Sequence, residues 1–361
     1  MGNCSGYRLD TLEIMPGPVF ILGSQGSGST LLRLMLDSHE NIAIPQETGF
    51  MRLVTAHRRV PFWQFGDQWF KRLGLTDDDL DEQLRSFYGG LFERYAAARG
   101  KRRWGDKTPF HVWHGEEMAR LFPDAVFVGI VRHPLGAIGS LVRRFDRPVN
   151  RATRHWLMAN ARLAHTGAEL GERFVLLRYE DLALQPESTM RELLEWMGEP
   201  WSDQVLRHHE VQRQQGAPAI VDGQTRSTDA VDPARVDRWR RWFDDDERRW
   251  IETRTRPLAE AFGYSMSTAV PATALAPATG RWHLLLTGAG LAELRAAHPS
   301  ALPVAPPRTP WADRPLVRRG RRRRRRGPSH GVSTEFTVRA TEHLPPSMLR
   351  WWRRRRAGGR G

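Results

Sequence analysis

The stretch PVFILGSQGSGSTLLRLMLDSH, residues 18–39, reads as a short apolar strand, a Gly/Ser-rich turn and a helix. Val19 to Leu22 is an unbroken apolar run, the pattern of a strand buried on both faces, and the residues from Thr30 to His39 carry the spacing of an amphipathic helix. Between them, Gly23, Gly26 and Gly28 let the backbone turn tightly and come close to a ligand. Exposed N–H groups at such a turn, with the positive end of the helix dipole behind them, make an anion site. Ser27, Ser29 and Thr30 add hydroxyl donors. The spacing G-x4-G-x-T matches a phosphate loop except that Ser29 stands where its lysine belongs. Ordinary ATP hydrolysis is therefore disfavoured.

Two more apolar strands lie downstream, AVFVGIV (125–131) and RFVLLRY (173–179). Helical stretches follow them, PLGAIGSLVRRF (134–145) and PESTMRELLEWMG (186–198), the second with Pro186 in its first turn and Gly198 at its end. This alternation predicts an α/β fold, a three-layer, doubly wound and mostly parallel sheet with helices on both faces. Residues 51–100, rich in aromatics and Arg, read as helical and as part of a lid or substrate wall. The expected organisation is a flexible N-terminus (1–15), one domain (16–266) and a Pro/Ala/Arg-rich, largely disordered tail (267–361). Truncation after residue 266 is expected to leave folding intact.

The 361 residues carry 55 Lys+Arg against 41 Asp+Glu, a formal charge of +14. Residues 301–361 hold 17 Arg and three acids, so the tail accounts for the whole excess and the remainder sums to zero. A tail of this kind is a solvated segment, or one that contacts nucleic acid or anionic surfaces. A single cysteine, Cys4, excludes a disulfide framework and a Cys-based zinc site. No apolar run approaches the roughly 20 residues that span a bilayer, and the start lacks the apolar segment of a secretory signal. A cytoplasmic protein is the expectation. Only three lysines occur, Lys71, Lys101 and Lys107, which makes a lysine inside a motif conspicuous.

FILGSQGSGSTLLRLMLDSH followed by PQETGF (45–50) resembles the opening of the sulfotransferases that use 3′-phosphoadenosine-5′-phosphosulfate (PAPS), with bacterial and protein-tyrosine sulfotransferases nearest in pattern. The resemblance implies a nucleotide-kinase-like fold whose loop, here Gly26, Ser27, Gly28, Ser29 and Thr30, holds the 5′-phosphosulfate. The family carries Arg or Lys where this chain has Gly26, so Gly26→Arg is expected to speed turnover if the missing cation limits the rate. Arg132, at the end of a strand in IVRHP, and Ser140 eight residues on match the pair that grips the 3′-phosphate. An Arg offers a bidentate fork for phosphate oxygens, and a Ser two helical turns later lies on the same side. Arg144 matches a further phosphate contact. Tyr179, in RYEDL, would face the cofactor, while Glu180 and Asp181 read as capping or structural acids. Ser227 and Arg238, in RSTD and Arg-Trp, resemble the segment that closes over the cofactor.

Sulfuryl transfer needs a base for the acceptor hydroxyl and cations for the charge that develops, with no metal required. By the resemblance, Glu47 in PQET is the base and Lys107 in GDKTP contacts the transferring group. His111, His114 and His133 stand as alternative bases, although small-molecule sulfotransferases carry their histidine two residues after the lysine, where this chain has Pro109. His208 and His209 read as surface residues, and Trp239, Trp242 and Trp250 as core or lid packing. Two other functions stay open: a non-catalytic nucleotide-binding protein of the same fold, and a P-loop phosphotransferase using ATP. The acceptor, a hydroxyl-bearing molecule, is not legible.

Overall fold

The computed structural model describes residues 16–58, 72–216, 218–222, 225–226, 228–266 and 282–302. They fall within one compact unit, Met1–Pro307. In chain order the elements that matter are β1 (Val19–Gly23), α1 (Ser29–Asp37), β2 (Ile42–Ala43), α2 (Phe50–His57), α3 (Asp77–Ala97), β3 (Arg103–Lys107), α4 (Gly115–Leu121), β4 (Val126–Val131), α5 (Pro134–Phe145) and α6 (Val149–Leu170). There follow β5 (Phe174–Arg178), α7 (Tyr179–Leu184), α8 (Pro186–Trp196), α9 (His208–Gln214), the short pair β6 (Ile220–Val221) and β7 (Thr225–Arg226), α10 (Asp245–Ala261), β8 (Leu286–Thr287) and α11 (Gly288–Ala297).

The main sheet runs β2-β3-β1-β4-β5-β8. Pairings from β2 through β5 are all parallel, as the apolar strands predict, and only β8 is antiparallel. The register sets Gly23 beside Ile130 and Val131 beside Arg178, so β1, β4 and β5 end together. Because β1 lies between β3 and β4, the chain leaves it toward both sides of the sheet, and the carboxyl ends of these strands border the crevice where such folds bind ligands. Phe20 anchors the core beneath, in contact with Phe50, Trp104, Phe122 and Phe127. Trp239 is buried, and Trp242 and Trp250 pack partly buried against the core.

One boundary differs from the sequence expectation. Residues 282–302 belong to the folded unit: β8 adds to the sheet edge through Val175–Thr287 and Leu176–Leu286, and α11 packs on α6 and β5. Leu284, Leu285, Leu286, Leu291 and Leu302 are buried, and the Thr287 hydroxyl caps α11 by accepting from the Gly290 N–H at 3.2 Å. The Pro/Ala-rich flank hides this unit in the sequence, because a two-residue strand has no readable period. The Arg-rich run beyond 302 and the segment 1–15 lie outside the described residues. Residues 51–100 are helical where described, as α2 and α3. No helix among the described residues is long and apolar enough to cross a membrane.

Three histidines, His133 and His208 buried and His155 half-buried, make the fold sensitive to acid. Burial pushes His133, His155 and His208 down to about 4, helped by the neighbouring charges of Arg132 at His133, Arg147 at His155 and His209 at His208. Each is neutral in the folded state and takes a proton once unfolded, so each favours folding above its ordinary value and loses that contribution as pH falls from about 6.5 to about 4. Glu180 opposes them, since burial raises it to about 7 and its contribution worsens as pH rises toward that value. Three groups outweigh one. The melting temperature, followed by calorimetry, is expected to fall between pH ~6.5 and ~4.5; a flat or rising trend would contradict this.

Candidate active site

The loop after β1 has the backbone its glycines require. Gly26 and Gly28 sit at φ 84° and 96°, in the left-handed region. A Cβ on Gly28 would lie 2.3 Å from the Tyr179 ring, and one on Gly26 would lie 2.7 Å from the Ala137 carbonyl oxygen. Glycine is the residue that fits at both. This overturns the expectation for Gly26→Arg: at that φ and against backbone, a side chain displaces the loop before it can supply a charge. The Ser24 and Ser27 hydroxyls are buried in the loop with no hydrogen-bond partner among the described residues. Donors left in this way at the start of a helix fit a phosphate-type anion.

Arg132 leaves the end of β4 toward this loop. Its Nη1 donates to the Gly26 carbonyl at 3.2 Å and its Nη2 to the Arg235 carbonyl at 3.0 Å. The guanidinium lies over the Tyr179 ring, 4.2 Å from the centroid. One tyrosine thus packs against Gly28 and carries Arg132. The Arg132 carbonyl receives the indole N–H of the fully buried Trp156 at 3.0 Å, which holds the strand end in place. Ser140, one turn from Ala137 on α5, borders Gly26 and is buried. Arg144, further along α5, donates to the Thr225 hydroxyl at 3.1 Å. Burial, and then the charges of Arg132 and Arg235, hold the Arg144 guanidinium below its ordinary value. An anion bound among these three guanidinium groups would offset the repulsion felt at Arg144.

The second half of the site forms around Lys107, at the end of β3 and wholly buried. Its Nζ donates to Glu47 Oε1 at 2.6 Å, Asp222 Oδ2 at 2.8 Å and Thr30 Oγ1 at 3.1 Å. A buried ammonium needs such partners, and three acceptors use all three of its hydrogens. Thr30 belongs to the phosphate loop, so the lysine joins that loop to Glu47. Glu47 is the open member, with a side chain 34% exposed against 1% for Asp222. Lys107's neighbours fasten the loop that bears the glutamate: Asp106 accepts from the Thr48 hydroxyl at 2.8 Å, and the Thr108 hydroxyl accepts from the Gly49 N–H at 3.1 Å.

The remaining candidates go elsewhere. His111 is buried edge-on to Phe50 with Nδ1 3.0 Å from Asp106, and His114 pairs with Glu117; the hydrogen bonds of Lys107 go to Thr30, Glu47 and Asp222 instead. The His133 ring stacks on Trp239, and its backbone N–H donates to Glu180, which also accepts from the Tyr264 hydroxyl. Glu180 and Asp181 are structural, Asp181 through Arg178 at 2.7 Å. His208, expected at the surface, is buried, while His209 is half-buried. Arg238 is not drawn in: exposed on a short 3-10 turn, its guanidinium is taken by Asp232 at 2.6 Å. Arg235, three residues earlier, lies nearer through its carbonyl. Ser227 lies outside the described residues.

Sequence reasoning missed Asp222, Asp106 and Arg235. Asp222-Gly223 is a turn dipeptide between two short β-prone pairs, a signal for the hairpin though not for its contacts.

Residues 18–203 match the sulfotransferase family, and the chain belongs to it. Among curated proteins it is similar to protein-tyrosine sulfotransferase 1 of Danio rerio, 27% identical over 62% of this chain and 65% of the relative. It is also similar to protein-tyrosine sulfotransferase 2 of Gallus gallus, 28% identical over 62% of each. The match thus spans under two thirds of these relatives' own lengths. Among solved structures, a sulfotransferase domain from a Synechococcus olefin synthase superposes with TM-score 0.52 at 25% identity, covering 69% of this chain and 94% of that one. A sulfotransferase domain from the curacin biosynthetic pathway shares the fold, with TM-score 0.50 at 24% identity over 67% and 98% of the two chains.

Proposed function

We propose that this protein transfers the sulfuryl group of PAPS to an acceptor hydroxyl by in-line displacement. The observation that carries the reading is the meeting, at one buried ammonium, of the phosphate loop through Thr30 and a solvent-open carboxylate, Glu47. In this reading Ser27, Gly28, Ser29 and Thr30 cradle the 5′-phosphosulfate, and Arg132, Ser140 and Arg144 take the 3′-phosphate. Tyr179 orders Arg132. Glu47 accepts the acceptor's proton as the new S–O bond forms and the bond to the 5′-phosphate oxygen breaks. The bridging pair of electrons leaves with adenosine-3′,5′-bisphosphate. The Thr30 hydroxyl meets the charge that grows on the sulfuryl and leaving oxygens, with the positive charge of Lys107 behind it at 3.1 Å, the kind of contribution that usually dominates such steps. The names of the curated relatives make the tyrosine phenol the first acceptor to try.

The loop favours this over ATP chemistry, since Ser29 stands where the phosphate-loop lysine belongs. Calorimetry with adenosine-3′,5′-bisphosphate tests the binding half. Arg132→Ala removes a charge-assisted phosphate contact of roughly 2–3 kcal/mol, so affinity is expected to fall roughly 30- to 150-fold, with a smaller loss for Ser140→Ala. Unchanged affinity in Arg132→Ala would remove the cofactor assignment.

A further inference from the structure

We propose that Asp222 is a positioning residue for this reaction, holding Lys107 and the Glu47 loop together and sharing the lysine's charge so that Glu47 stays available as a base. The inference rests on the roles given above to Glu47 and Lys107. One carboxylate touches both of them: Asp222 Oδ2 receives the Lys107 ammonium at 2.8 Å, and Oδ1 receives the Glu47 backbone N–H at 3.3 Å. Oδ2 also receives Arg33 Nε at 3.1 Å, and Arg33 in turn donates to the Ile44 carbonyl at 3.2 Å, at the foot of the same loop. Arg33 stands on α1, the helix that the phosphate loop opens. Asp222 thus links the loop's helix, the cation and the backbone of the base from a turn 175 residues away from Glu47.

The charges explain why a second carboxylate is needed. Lys107 and Arg33 are both buried cations bonded to Asp222, and without it Glu47 would be the one carboxylate on the lysine. It would then be committed to the lysine rather than to an incoming hydroxyl. With Asp222 present the four groups are neutral in sum, and the lysine divides its hydrogen bonds between an open carboxylate and a buried one. The division of labour follows exposure: Asp222, 1% exposed, has no route to an acceptor, whereas Glu47 has one. Burial works against the Asp222 charge, but Lys107 and Arg33 outweigh it and keep the carboxyl below its ordinary value. The residue also sits at φ 47°, a left-handed conformation that aspartate tolerates better than most side chains.

A double-mutant cycle separates positioning from simple structural support. Asp222→Asn is made in the wild-type chain and in Glu47→Gln. Each variant is assayed for transfer from isotope-labelled PAPS to a tyrosine-containing peptide, for adenosine-3′,5′-bisphosphate affinity by calorimetry, and for melting temperature. Asp222→Asn is expected to lower kcat roughly 10- to 100-fold, the scale of misplaced catalytic groups, with affinity and KM within about three-fold. In Glu47→Gln it is expected to cost less than about three-fold more, because the base it serves is already gone. Independent losses that multiply, or an unchanged kcat, would overturn the proposal. If Asp222→Asn melts early, Asp222→Glu takes its place; this variant keeps the charge, and a smaller loss with the same non-additivity is expected, full additivity again overturning it. Normal turnover in Glu47→Gln would remove the base assignment and this inference with it. An inactive Glu47→Gln beside a normal Asp222→Asn would sink this inference alone.

Discussion

Glu47→Gln is expected to slow sulfuryl transfer by ~100- to 10,000-fold while adenosine-3′,5′-bisphosphate affinity stays within a few-fold. Glutamine keeps the size and one oxygen for Lys107 but cannot take the acceptor's proton. The variant is also expected to fold, since the lysine keeps Asp222 and Thr30 as partners. Cofactor affinity is largely spared because Arg132 and Ser140, assigned to the 3′-phosphate, border Gly26 and make no hydrogen bond to Glu47, and Arg144 feels that carboxylate only through its charge. Single-turnover assays with labelled PAPS measure the chemical step directly. A variant that turns over at the wild-type rate would place the base elsewhere, and the burial of His111 against Phe50 leaves that histidine poorly situated to replace it.

Truncation after Met266 is expected to abolish folding or to lower the melting temperature by roughly 10 °C or more. The cut removes β8 from the sheet edge and α11 from α6, and with them the buried Leu284, Leu285, Leu286 and Leu291. Each fully buried leucine contributes about 1.5–3 kcal/mol, so together they rival the 5–15 kcal/mol that holds a typical domain folded. The loss also bares the β5 edge, whose ladder partners Thr287 and Leu286 are gone. A cut after Leu302 keeps every element of the sheet and is expected to melt within a few degrees of the full chain. Equal melting temperatures for the two truncations would show that β8 and α11 contribute nothing to stability.

The contrast between these two regions explains which features the sequence reveals. β1, β4 and β5 are legible because each is a short, near-continuous apolar run (VFIL, VFVGIV and FVLL) followed by turn or helix-start residues. Gly26, Gly28, Arg132 and Tyr179 all follow such strands, so a motif and a register locate them together, whereas Lys107 closes β3, whose sequence RWGDK has no apolar run, and is legible only through the resemblance. Glu47 is legible only through its resemblance to a family motif, and its contact with Lys107 spans 60 residues. Asp222 is not legible. It comes from a turn between two-residue strands, and its partners are 115, 175 and 189 residues distant. Arg238 shows the converse limit, since a matching Arg-Trp pair does not reveal that the guanidinium pairs with Asp232. Short elements and long-range ion pairs are fixed by packing, which leaves no local period to read.

The most direct test of the central claim is a transfer experiment with sulfur-labelled PAPS against tyrosine peptides, carbohydrates, lipids and small phenols. The proposed function predicts label on at least one hydroxyl class, with adenosine-3′,5′-bisphosphate released in equal amount and the signal lost in Glu47→Gln. Tight binding of adenosine-3′,5′-bisphosphate with no label on any acceptor would contradict it and identify a binding protein, while transfer from terminally labelled ATP instead would identify a phosphotransferase.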